Sequence, residues 1–211
     1  MPRKGKVETA MTESMTRPLF EEPSADCERE DEWSHPKGFM FGGWSLPSGT
    51  TWEMAEQYFD ATRVLIENIG NNEVQDYKLG TPVLYLYRHW LELAVKSIIG
   101  PIHGHDLSKL SGKLTSVLSK RGIEVPKWVT ARLMEMAEID RSSTAFRYAE
   151  GSIPGETYVS VPHLRDSMTV LHAALSSVSA KGVFPPESLL AKLTNEDDSR
   201  WAMLQLQEWI S

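Results

Sequence analysis

Between Pro82 and the Gly100-Pro101 stop, the apolar side chains Val83, Leu84, Leu86, Trp90, Leu91, Leu93, Ala94, Val95, Ile98 and Ile99 cover most of a helical wheel. A helix with so little polar surface must be surrounded by others, so a chain that contains it is a bundle with this helix at its centre. Pro82 fits the first turn, where its missing N–H is not needed. The stretch is long enough to be weighed against a membrane span. Arg88, Glu92 and Lys96 interrupt it, however, and a central charge costs ~2.5–3.5 kcal/mol on insertion scales. A soluble core helix is the expectation.

The neighbouring segments supply its partners. Thr50 followed by Glu53 reads as a capping box, and Trp52, Ala55, Phe59, Thr62, Ile66 and Ile69 repeat at helical spacing up to Gly70. Asp106 caps a third helix carrying Leu107, Leu110, Leu114, Val117 and Leu118 before Gly122. A fourth runs from Pro126 to about Ile139, burying Trp128, Leu133 and Met136 or Ala137, and a fifth from Pro162 to Ala180. Between them, residues 140–160 read as irregular, with short extended pieces at Ala145 to Tyr148 and Thr157 to Val161 around the turn from Gly151 to Gly155. Beyond Pro185-Pro186, one or two short helices carry Leu189, Leu190 and Leu193, then Trp201, Leu204 and Ile210. The predicted fold is all-α, an up-and-down bundle of four to five main helices. Its expected divisions are an arm over 1–48, a bundle over 49–182 and a C-terminal helical extension over 183–211.

The arm is polar and without periodicity as far as Glu32, and is then rich in aromatics, glycine and proline from Trp33 to Ser48, the pattern of a disordered or loosely packed segment. It begins with Arg3, Lys4 and Lys6 but continues into Thr, Glu and Ser, which is unlike a signal peptide. The net charge of −7 argues against a globally basic nucleic-acid coat. Four of the 29 acids lie between Glu28 and Glu32, so the helices carry a milder balance and a local basic site survives. Cys27, the only cysteine, forms no intramolecular disulfide and belongs to no thiolate zinc motif, in keeping with a reducing cytoplasm.

Arg88, Glu92 and Lys96 follow one another at four-residue spacing, so they share a helix face. His89 widens that face to roughly 100° of the wheel. These residues read as a solvated stripe, as a buried network fixing helix register, or as a groove where a cation and a titratable imidazole meet phosphate. His103, His105 and Asp106 have short metal-like spacing without a second motif, and Asp106 is better used as a cap, so neither a metal nor a cofactor is expected. P-loop, G-x-G-x-x-G and G-x-S-x-G signatures are missing from the sequence.

The run Tyr85-Leu86-Tyr87-Arg88-His89-Trp90-Leu91-Glu92-Leu93-Ala94-Val95-Lys96, followed by Gly104-His105-Asp106-Leu107, resembles the HEPN superfamily. Ser143 to Tyr148 is similar to the Phe-Arg-Tyr element of a bacterial HEPN-like subgroup, and the resemblance spans about residues 50–180. It implies an all-α and often dimeric domain of bacterial toxin–antitoxin, antiphage-defence, stress or RNA-processing systems. The implied partners are RNA or a nucleotide, an antitoxin or nucleotidyltransferase-like protein, and a second copy of the chain.

Many such proteins are metal-independent RNases with an Arg, four to six residues, then His on a late helix. Arg165 and His172 satisfy that spacing in the fifth helix, about two turns apart on nearly the same face. There an Arg would neutralise a scissile phosphate while the His moved a ribose proton. Asp166 stands where the family often has Asn. The preferred expectation is therefore a non-catalytic module that binds a nucleotide, an RNA or a protein through Arg88, His89, Glu92, Lys96, His105, Asp106 and Arg147. The RNase using Arg165 and His172 is the alternative, and a purely structural dimerisation module the second.

Overall fold

A computed structural model describes residues 50–140, 143–148, 157–194 and 199–210. The expectations for the arm, Cys27 and the turn at 151–155 lie outside the described residues. Helices are α1 (Thr51–Gly70), α2 (Asp76–Ile99), α3 (Leu107–Lys120), α4 (Lys127–Ile139), α5 (Ala145–Tyr148), α6 (Val161–Lys181), α7 (Glu187–Leu190) and α8 (Ser199–Ile210), with a 3-10 turn at Ala191–Thr194. There is no strand among the described residues. Successive helices pack as neighbours, α1 on α2, α2 on α3 and α3 on α4, and α6 returns against α1 and α2. The arrangement is an all-α, up-and-down bundle with α2 at its centre.

Local chemistry explains the element ends. The Thr50 hydroxyl accepts the Glu53 N–H at 3.3 Å. Asp106 accepts the N–H groups of Ser108 and Lys109, so α3 starts with its first turn satisfied. The α6 helix is capped by Ser160 and closes at Gly182, whose φ of 70° needs a residue without a side chain.

Three expectations are corrected. The central helix begins at Asp76, six residues before Pro82, so Pro82 lies inside it rather than in its first turn. Residues 76–78 are solvent-exposed, and a turn there can form upstream of the missing N–H without disturbing the core. Ala145–Tyr148 is one helical turn, not an extended piece, because the Asp140 carboxylate accepts the N–H groups of Thr144 and Ala145 at 2.9 and 3.2 Å and caps it. Thr157 to Ser160 has no regular structure and leads directly into α6 at Val161.

The core places Ala55, Phe59, Ile66, Trp90, Leu91 and Leu114 at its middle, joined by Leu133 from α4 and by Leu171 and Leu175 from α6. In α4, Val129, Leu133 and Ala137 are the buried face, while Trp128 and Met136 pack at its edge. A second cluster, Ala173, Ala174, Leu190, Leu193, Ala202 and Leu206, fixes α7, the 3-10 turn and α8 on α6.

Candidate functional site

Arg88 and Glu92 are not a solvated stripe: their side chains are 0% and 2% exposed. A buried guanidinium needs acceptors in several directions, and three segments provide them. Arg88 Nη1 donates to Glu92 Oε2 at 2.7 Å within α2. Its Nε donates to the Asp140 carbonyl at 3.1 Å and lies 3.6 Å from that residue's Oδ2. Its Nη2 donates to the His105 carbonyl in the loop entering α3. The other Glu92 oxygen takes Lys96 Nζ and His105 Nδ1, both at 2.7 Å. Burial pushes the Glu92 carboxyl up, but the combined hydrogen bonds from Lys96, Arg88 and His105 outweigh it and hold the group at about 2.

This ladder ties α2 to the start of α3 and the end of α4. Asp140 is the member that sequence reasoning missed. The available signal was an acid at a helix end followed by the cap-forming Ser142-Ser143-Thr144. Asp106 stays outside the ladder, with Oδ1 on the Ser108 hydroxyl at 2.6 Å, which with the amide bonds holds its carboxyl below the usual value.

His89 is separate from these contacts. It lies edge-on to Tyr58 with centroids 4.4 Å apart and parallel to Tyr85 at 6.0 Å. Burial lowers its imidazole pKa; the pull of Glu92 upward is opposed by the charges of Arg88, Arg147 and His105. Arg147 donates its Nε to the Ser143 carbonyl, where the chain turns through a left-handed φ of 63°.

Arg165 and His172 have different polar partners. Arg165 is half-exposed and its Nε donates to Asp166 Oδ1 at 2.8 Å, so the acid at that position neutralises it directly. The Arg165 charge also opposes the upward push that burial gives the Tyr87 phenol. His172 sits between α6 and α1, its Nε2 at 2.8 and 3.0 Å from the two Glu56 oxygens. Its ring stacks on Phe59 at 4.0 Å, with Trp52 and Trp90 at 6.1 and 5.9 Å. No described contact joins the two residues, and His172, 22% exposed, is packed among aromatic rings and paired with Glu56.

No cluster of three or more His, Cys, Asp or Glu able to hold a metal occurs among the described residues, where His103 is exposed and His105 bonds Glu92. No helix among them is long and apolar enough to cross a membrane.

An open feature lies beside the ladder, where Leu84 and Leu91 flank Arg88 on α2. A cavity of about 400 Å³ is bounded by α2, α4, α5, residues 157–160 and the first half of α6. Leu84, Leu91, Met136, Ile139, Phe146 and Leu164 supply much of its apolar wall, and its hydrogen-bonding residues include Arg132, Glu135, Ser160, His163 and Ser167, with Thr157 and Tyr158 exposed at its rim. Sequence reasoning missed it. The alternation of partly buried Leu84 and Leu91 with fully buried Trp90 on one helix says nothing of where neighbouring helices diverge. The arrangement is an apolar pocket beside a buried polar clamp. Comparison with known protein families, curated proteins and solved structures gives no match to this chain.

Proposed function

We propose that this chain is a non-catalytic, HEPN-like binding module of a bacterial defence, toxin–antitoxin or stress system. In this reading the Arg88 ladder is its scaffold and the cavity between α2, α4 and α6 is its binding surface. The observation that carries the reading is the complete burial of Arg88 among acceptors. A guanidinium with no exposed surface and acceptors on three segments presents no N–H to an incoming phosphate. An apolar pocket with a few polar groups at one side is the ordinary form of a ligand site. Its lining favours a ligand or partner that inserts an apolar group over one recognised mainly through phosphates.

The RNase reading has less support. Its cation is paired with Asp166 and its imidazole with Glu56. Two measurements test the choice. RNA incubated with the protein in EDTA should remain intact. Non-denaturing mass spectrometry of the protein from its own host should show a bound species that Leu164→Trp, still helical, fails to retain. EDTA-resistant cleavage that disappears in Arg165→Ala or His172→Ala would overturn the proposal.

A further inference from the structure

Resting on the binding-module reading, we infer that the cavity takes a small amphiphile with an apolar body and an anionic head. Size, depth and polarity each restrict the occupant. A space of about 400 Å³ suits a small molecule or a short acyl chain. Leu91 and Met168 are buried in its floor, and a hydrogen-bonding edge placed there would lose its water without a partner. Polar bases and sugars are therefore disfavoured in the interior, and a hydrocarbon or aromatic body is favoured.

The head is set by the asymmetry of the lining. The Ser160 hydroxyl caps α6, His163 and Ser167 lie on its first two turns, and Arg132 lines the same cavity from α4. Ser167 Oγ is 3.5 Å from His163 Nε2, so both remain weakly engaged and able to turn to a ligand. Arg132 is bridged to Glu135 at 2.6 Å, but both side chains are well exposed and such surface pairs exchange partners at little cost. The first turn of α6 has no acid, and its amide dipole adds positive potential. Against one carboxylate, these groups favour an anion over a cation.

The test uses the full chain with three probes of equal tail length, decanoate, decanol and decyltrimethylammonium, measured by calorimetry below their aggregation thresholds. Decanoate should bind about tenfold more tightly than the ammonium probe, with decanol between them. Leu164→Trp should abolish binding of all three. His163→Glu, at an exposed position that leaves the fold intact, should remove the preference for the acid while retaining decanol. Equal affinity for the three probes, or a preference unmoved by His163→Glu, overturns the anionic head. No binding of any probe overturns the amphiphile altogether. If the host-derived protein still carries a species lost in Leu164→Trp, the binding module stands with a different occupant.

Discussion

Arg88 is where three stretches of chain converge, so its replacement probes the clamp most directly. Arg88→Met keeps much of the buried volume but leaves the Glu92 carboxylate and the Asp140 and His105 carbonyls short of a donor. Breaking a buried pair from one side costs about 3–5 kcal/mol, and denaturant unfolding should show a loss of that size. Glu92 should also leave a signature in acid. Its carboxyl titrates at about 2 when folded against 4.5 as its ordinary value, so the protonated group is the one the unfolded chain favours. The stability it contributes is complete above the ordinary value and is lost as pH falls from about 4.5 through about 2. Glu92→Gln should flatten thermal stability against pH across that window, and an unchanged slope would place the acid sensitivity elsewhere. The α2 part of the clamp was legible because residues four apart on a helix must meet. His105 was named with it from the motif opening α3, but Asp140 was not: its carbonyl lies 52 residues from Arg88, and no local rule relates those positions.

Pro82 shows how an element can exceed its sequence signal. Pro suits a first turn, which places the start of α2 at Pro82, yet the helix continues upstream to Asp76. Inside a helix the ring removes one bond to the residue four before, Lys78 here, and strains that carbonyl. Pro82→Ala should therefore stabilise the protein by about 1–3 kcal/mol and slow amide exchange at residues 76–81, as read by hydrogen–deuterium exchange. Similarly, Ala145 to Tyr148 has the aromatic content of a strand but is too short to hold either form by propensity. Asp140, reaching the amides of Thr144 and Ala145, decides for a helical turn. The long helices were legible because a repeated apolar face over several turns has one satisfactory burial, and in α1 the residues named on that face are buried apart from the edge residue Trp52.

At the scale of the whole molecule, residues 49–211 form one compact unit with two cores of unequal size, and Trp128 and Phe184 pack against both. Leu206 belongs to the smaller core. Leu206→Ala should cost about 2–3 kcal/mol and speed amide exchange mainly in α8, leaving α1 to α4 protected. Equal loss of protection throughout would mean that the two cores open together. The cavity was not legible, since it is set by the divergence of packed helices and not by any one helix's pattern. The Arg88 clamp has a kinetic counterpart. Glu92 is at hand as soon as α2 forms, but the other two acceptors lie 17 and 52 residues along the chain and arrive only when the loop entering α3 and the end of α4 dock. Burying the cation before they arrive would leave it short of acceptors, so its burial is favourable only when all three segments are together.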